Sequence, residues 1–234
     1  MPKKRLMTGL LLATVTLLYS PVFASSLSIV NPDFSVPAIP CGLDYAYQGA
    51  GTCSSTTGGG NPFPQQNFNG VSGFGWTFAV GGDGLTGPGT PFNPPSFTSL
   101  PFTQAAFLQG NSADISQGIA GFSVGGAYVL NFYLGSRFNS VTDGNQTVEA
   151  LLNGNVVGTW ALTSSTPFTL ESAAFTGIAN GSETLEFKGL ASGDHTAFLS
   201  HVSISSVPEP VYLPFLTIGL IGLGAIARLK RRFF

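Results

Sequence analysis

Apolar and polar positions alternate with a period of two through the second half of the chain, the spacing at which successive side chains of a β-strand point to opposite faces. In "AYVLNFYLGS" (127–136), Tyr128, Leu130, Phe132 and Leu134 share one face, and Val129, Asn131 and Tyr133 share the other. Both faces are largely apolar, which predicts a strand inside a sheet rather than at its edge. "TVEALLNGNVVGTWAL" (147–162) reads as a hairpin, because Asn153-Gly154 suits a two-residue turn whose central residues need positive φ. That turn sets Leu151 against Val156 and Ala150 against Val157. "ETLEFKGL" puts Leu185 and Phe187 inward with Glu186 and Lys188 outward, and "AFLSHVSIS" puts Phe198, Val202 and Ile204 on one face. In the first half, Gly58-Gly59-Gly60, Asn61-Pro62, Pro88-Gly89 and Pro94-Pro95 punctuate short apolar pieces, so 41–64 and 82–103 read as long loops. No amphipathic helical period and no internal repeat emerges, and the predicted fold is all-β, an antiparallel β-sandwich.

The two ends depart from this pattern. Lys3, Lys4 and Arg5 precede an apolar stretch over 10–18, and Val22-Phe23-Ala24 offers small residues where a signal peptidase reads. We expect a signal peptide over 1–24, cleaved between Ala24 and Ser25. At the other end, 211–227 carries no charge, and 17 helical residues would reach about 25 Å, close to the hydrocarbon thickness of a bilayer. Arg228, Lys230, Arg231 and Arg232 follow at once, and basic flanks stay on the cytoplasmic side. Val207-Pro208-Glu209-Pro210, then a short apolar helix, then an Arg-rich terminus resembles the PEP-CTERM sorting signal of Gram-negative bacteria, with its three parts in order. The resemblance implies recognition by exosortase, a transpeptidase-like membrane enzyme, with cutting near the Pro-Glu-Pro. The segment 207–234 is then an address label (motif 207–210, transmembrane helix 211–227, basic tail 228–234), and a permanent single-pass anchor is the alternative.

Removing both ends changes the charge picture. The whole chain has a net charge of −2, but seven of its nine basic residues lie in the leader and the tail. Between 25 and 206 only Arg137 and Lys188 are basic against ten carboxylates, a balance of −8. A body this acidic, with no basic patch, excludes nucleic acid as a partner. About 180 residues fit one domain. Cys41 and Cys53 lie in a Gly/Ser/Thr-rich stretch of an exported chain, where the compartment is oxidising, and are expected to pair as a disulfide closing a surface loop. Two thiols with no nearby His cannot complete a zinc shell.

A second resemblance covers the domain. "IVNPDFSVP", "GFGWTFAV", "FLQGNSADISQGIAGFSVGGAYVLNFYLGSR", "VEALLNGNVVGTWAL", "LEFKGL" and "AFLSHVSIS" follow one another from Ile29 to Ser205 in the order of DUF642-type, galactose-binding-like jelly rolls of cell-wall and surface proteins. The resemblance implies a jelly roll of about eight strands, chain ends close together and an association with cell-wall or matrix polysaccharide. It also implies an Asp pair before the Val of the last strand that holds the ends together, sometimes through a structural calcium. Here Ser200 and His201 stand at those positions, so no cofactor is expected and calcium stays open.

Candidate chemistry is sparse. "GFSVG" (121–125) fits a nucleophile elbow in letters only, because a Gly pair and a β-type run follow Ser123 where a helix is required. His195 and His201 lack a metal-ligand spacing partner and read as surface residues. Asp83, Asp114, Glu149 and Glu171 fall in or beside turns or on a hairpin, where a solvated carboxylate is ordinary, and none is marked as the acid of a glycosidase. Asn145 and Asn180 open glycan-acceptor triplets that read as turns. Aromatic rings are the better lead, since sugar C–H faces stack on Trp or Tyr while amides and carboxylates bond the hydroxyls. Tyr45, Tyr47, Trp76 and Trp160 are the candidate ligand-binding residues; the two Trp also fit a sandwich core, and the two Tyr a surface loop beside Asp44 and Gln48.

The sequence therefore predicts a non-enzymatic protein, exported with the help of signal peptidase and exosortase. It would contact the membrane transiently through its C-terminal helix, anchored in the inner membrane before processing. Afterwards it would reside on the cell surface, the outer membrane or in the extracellular matrix, its domain over 25–206 binding polysaccharide. A structural matrix protein without a specific ligand is the alternative, and a carbohydrate-active hydrolase stands below both.

Overall fold

The computed structural model describes residues 24–39, 45–49, 65–79, 81–90, 93–138 and 143–208. Residues 1–23, both cysteines and residues 209–234 lie outside them, and with them most of the expected signal peptide and sorting signal. Every strand belongs to one of two sheets facing each other as a sandwich, the jelly-roll architecture expected. In chain order the strands are β1 (Tyr45–Gln48), β2 (Gln65–Gln66), β3 (Thr77–Phe78), β4 (Asp83–Thr86), β5 (Ala105–Gln109) and β6 (Asp114–Phe122). They continue as β7 (Ala127–Ser136), β8 (Thr147–Leu152), β9 (Asn155–Ala161), β10 (Thr169–Thr176), β11 (Gly181–Gly189) and β12 (Thr196–Ser206). The seven-stranded sheet runs β10-β7-β12-β5-β4-β1-β2 and the five-stranded sheet β3-β6-β11-β8-β9. All pairs are antiparallel except β1 with β2.

Alternation explains the strongest elements. β7 lies between β10 and β12, and its inner face of Tyr128, Leu130, Phe132 and Leu134 is buried in the inter-sheet core. Leu185 and Phe187 of β11 meet them from the opposite sheet, with Phe132 and Phe187 ring centroids 4.9 Å apart. Phe34, Phe68, Phe74, Trp76 and Phe78 also pack in the core, each contributing about 1.5–3 kcal/mol of burial, with somewhat more from the edge-to-face pairs that Phe78 makes with Phe68 and Phe74.

Three expectations need correction. The segments 41–64 and 82–103 contain strands: β1 and β4 pair with each other inside the larger sheet, with Ala46 opposite Leu85. Asp83-Gly84 looks like a turn dipeptide, but the glycine is there for space. A Cβ at Gly84 would sit 2.1 Å from the Ala46 carbonyl oxygen and 2.4 Å from the Phe107 ring. In the hairpin, Asn153 and Gly154 both take positive φ (46° and 79°) and Leu151 meets Val156, but a bulge then moves Ala150 opposite Gly158. Gly158 leaves room for the Trp160 indole, which would lie 2.3 Å from a Cβ there.

The third correction concerns β12. Ala197 and Leu199 face the inter-sheet core, and so do Val202 and Ile204, because a bulge between Ser200 and Ser203 inserts an extra residue. His201 sits in that bulge at φ 55°. Phe198 therefore faces the other way from Val202, into a small outer cluster with Ala105 and Phe107.

The bulge also fastens the start of the domain. The Asp33 carboxylate meets His201 Nδ1 at 2.7 Å, and the Ser200 hydroxyl donates to the Gln104 carbonyl at 2.9 Å and faces the Asp33 carbonyl at 3.2 Å. Gln104 in turn donates to the Phe34 and Pro37 carbonyls. Ser200 and His201 thus tie the first segment to the last strand themselves, at the positions where the resemblance implied an Asp pair. Farther along, Leu27 N–H donates to Ile204 O at 2.9 Å, Ser206 N–H to Ser25 O at 2.8 Å, and Ser25 N–H to the Ser206 hydroxyl at 3.0 Å. The two ends of the domain leave the same pole of the sandwich, while β12 begins at the opposite pole.

Candidate functional site: a cleft where β5, β7 and β12 meet

At that opposite pole a cleft of about 460 Å³ is lined by Tyr45, Tyr47, Gly81, Gln109, Asn111, Ser112, Arg137 and Asp194 together with glycine backbone. The alternation of β1 builds one wall. Ala46 enters the inter-sheet core, which turns Tyr45 and Tyr47 to the outer face against Phe107 and Phe198. Their rings are edge-on with centroids 6.3 Å apart, and Tyr47 stands edge-on to Phe107 at 5.0 Å.

A chain of polar contacts forms the floor. Tyr47 Oη donates to Gln109 Oε1 at 2.5 Å, Gln109 Nε2 donates to one Asp194 oxygen, and the other Asp194 oxygen takes Arg137 Nη1 at 2.9 Å. Asp143 approaches the same Arg137 nitrogen at 3.6 Å. Charge-assisted bonds of this kind hold planar groups in fixed orientation. Burial, and then the Asp194 charge, hold the Tyr47 phenol above its ordinary value; burial does the same to Tyr45. Both are neutral hydroxyls at physiological pH, able to donate and to accept.

The loops of the cleft are set by Gln146, a residue the sequence reading passed over. Its fully buried amide donates to His195 O at 2.9 Å and to Gly110 O at 3.3 Å. Its oxygen faces the N–H groups of Thr147, Leu190 and Ala191 at 2.9, 3.1 and 2.8 Å. One side chain thus clamps both the 110–112 turn and the 190–195 loop. A signal was present in "GNQT", where a Gln enters an alternating strand at an inward position, but periodicity alone reads such a Gln as a strand edge.

The four aromatic candidates separate. Tyr45 and Tyr47 reach the cleft, from a strand rather than the expected loop, and neighbouring Gln48 is buried, with Oε1 accepting from Phe68 N–H at 2.8 Å. Trp76 is corrected to core: it is 2% exposed, packs on Phe34 at 4.9 Å and donates its indole N–H to Asn31 O at 3.0 Å. Trp160 stands edge-on to Phe132 at 4.9 Å on the edge strand of the other sheet, and does not line the cleft. Ser123 lies in the turn between β6 and β7 as expected, where its N–H donates to Tyr128 Oη at 2.9 Å.

Among the carboxylates, Asp83 overturns the expectation of a solvated charge. It is fully buried, and both its oxygens face Asp114 N–H at 3.0 and 3.1 Å. Burial pushes its carboxyl up to about 8 against the lowering effect of the Asp114 and Ala79 amides. Asp114 rises to about 6 through burial and the adjoining Glu186, opposed by Lys188. Asp83 does not line the cleft, and its position bridges the start of β6 to β4. Among the described residues no three His, Cys, Asp or Glu side chains converge as a metal shell requires. Cys41, Cys53, Glu209 and Pro210 lie outside the described residues, whereas Ala24, Ser25, Val207 and Pro208 sit at the common pole of the two ends.

No family profile matches the chain, and comparison with curated proteins finds no match. Solved structures do match in fold. A cyclase from Fischerella sp. TAU is 13% identical with a TM-score of 0.54, over 81% of this chain and 100% of that one. A Stig cyclase from the same organism, in complex with a pyrrolidinylidene-indole, is 12% identical with a TM-score of 0.54, over 80% of this chain and 100% of that one. A Clostridium thermocellum xylanase with a carbohydrate-binding module, in complex with xylohexaose, reaches a TM-score of 0.41 at 14% identity, over 59% of this chain and 27% of that one, too distant to argue from. The expectation of a non-enzymatic domain is thereby corrected: the two Fischerella cyclases, matched over 100% of their own length, are enzymes, so the architecture does not exclude catalysis.

Proposed function

We propose that the cleft binds carbohydrate and that the domain engages extracellular polysaccharide through it. The observation that carries this reading is the pairing of two tyrosine rings with a wall of fixed amide, carboxylate and guanidinium groups around an open volume of about 460 Å³. Sugars need an apolar face to stack on and planar polar groups to bond hydroxyls, and this cleft supplies both. Retention of the purified domain on insoluble polysaccharides tests it. Tyr45→Ala and Tyr47→Ala should each weaken retention at least tenfold, about 1.4 kcal/mol, while Trp160→Phe leaves it unchanged. Equal retention of all variants, or none on any polymer, would favour a matrix protein without a specific ligand.

The same reading places the protein outside the cell. The leader over 1–24, the Val207-Pro208-Glu209-Pro210 motif and the base-capped apolar segment support export by signal peptidase and sorting by exosortase, with residence on the cell surface or in the matrix. The shared exit pole of Ser25 and Ser206 supports it further, because a tether there leaves the cleft pointing away from the membrane. Mass spectrometry of the mature protein should find Ser25 at the N-terminus and an end near Glu209; an intact Phe234 would contradict sorting.

A further inference from the structure

We propose that the cleft selects uncharged glycans, and that Asp194 imposes this choice by cancelling the charge of Arg137; the inference rests on the carbohydrate reading of the same cleft. A lone arginine beside tyrosines would ordinarily favour uronate or sulfate groups, because its guanidinium bonds anions in bidentate fashion. Here that capacity is spent. Arg137 Nη1 is 2.9 Å from Asp194 and 3.6 Å from Asp143, and only 19% of the Arg137 side chain is exposed, against 56% of Asp194. What the cleft presents to an incoming ligand is therefore a carboxylate more than a guanidinium.

The rest of the domain offers no compensating positive charge. Lys188, the only other basic residue between 25 and 206, lies on β11 of the opposite sheet with Nζ 2.5 Å from Glu186, and Asp114 and Glu149 act on it as well. The domain's balance of −8 repels a polyanion at long range, and the Asp194 carboxylate repels its charged groups at contact. Neutral sugars escape both penalties. They can accept from Asn111, and donate to the Tyr47 hydroxyl oxygen and to Asp194 without disturbing the bonds to Gln109 and Arg137.

The experiment compares retention of the full domain on two sets of immobilised probes, neutral xylan and galactomannan against anionic alginate and polygalacturonate, at low and high salt. The wild type should be held by at least one neutral polymer and by neither anionic one. Asp194→Asn should gain at least tenfold retention on an anionic polymer, lost at high salt and abolished by adding Arg137→Gln. Should Asp194→Asn fail to fold, Asp143→Asn removes the more distant carboxylate, and a smaller, salt-sensitive gain is the expected result. Wild-type preference for the anionic polymers, or folded variants with no gain, would overturn the inference alone. Wild-type retention by neither set overturns the carbohydrate reading and this inference with it.

Discussion

Gln146 donates to the backbone carbonyl of His195 at 2.9 Å, and through that bond a residue with no surface of its own sets the loop that carries Asp194. Its removal exposes the dependence. Gln146→Leu keeps the volume but takes the side-chain acceptor from the amides of Thr147 and Ala191 and the side-chain donor from the Gly110 carbonyl, each worth about 1–3 kcal/mol. Leu190 N–H still reaches Thr147 O at 2.9 Å, and His195 O still accepts from Gly110 N–H at 2.9 Å. We expect a loss of stability of about 3 kcal/mol or more by chemical denaturation, and loss of cleft binding in whatever fraction stays folded. Full stability would show that the clamp is dispensable.

Asp83 makes stability depend on pH in an unusual direction. Its carboxyl is pushed up to about 8 in the folded state, while the unfolded chain releases the same proton near 4. Between these values the folded state holds more protons, so stability is greatest at the acidic end of the window and falls as pH rises from about 4 to about 8. Asp114, raised to about 6, adds to the same slope over a narrower window. Asp83→Asn mimics the neutral form and should flatten most of the decline when melting temperature is followed across this range; an unchanged slope would assign it elsewhere.

The Asp33–His201 contact is half-exposed, so its contribution is modest. A double-mutant cycle with Asp33→Ala and His201→Ala should give a coupling of about 0.5–1 kcal/mol. The single loss of Ser200, which is fully buried against the Gln104 carbonyl, should cost more than either. Additive single mutants would mean that the bulge, and not the Asp33–His201 contact, joins the first segment to β12.

Strands β7 and β11 and the Asn153-Gly154 turn were legible because both faces of each obey one period and the turn residues carry their own geometry. β1 was hidden because its four residues stand in a stretch otherwise rich in Gly, Ser and Thr, and β4 because Asp83-Gly84 is also a turn dipeptide. Asp83-Gly84 fits a strand because the glycine leaves the space that the Ala46 carbonyl and the Phe107 ring occupy, a fact of packing that no local pattern records. The face of Phe198 is hidden for a related reason: a bulge at His201 shifts the register by one, and alternation cannot announce an extra residue. The site divided the same way. Tyr45 and Tyr47 were legible as rings beside polar neighbours, whereas Arg137, Gln109 and Asp194 come together from strand ends and a loop far apart in sequence.

Gly84→Ala tests that packing argument directly. A Cβ placed 2.1 Å from the Ala46 carbonyl oxygen must displace backbone, so the variant should lose about 1–3 kcal/mol and weaken the β1–β4 pairing that presents the tyrosines. Wild-type stability would mean that the two strands can part without cost.

Carbohydrate is proposed to enter between the tyrosines of β1 and the Arg137–Asp194 pair. Amide chemical-shift mapping of the isotope-labelled domain, titrated with soluble neutral xylo- and manno-oligosaccharides, tests it most directly. We expect saturable shifts confined to Tyr45, Tyr47, Gly81, the 109–112 turn, Arg137 and Gly193–Asp194. Shifts clustered on the outer face of β6, β11 and β8, or none with any sugar, would rule out binding in the cleft.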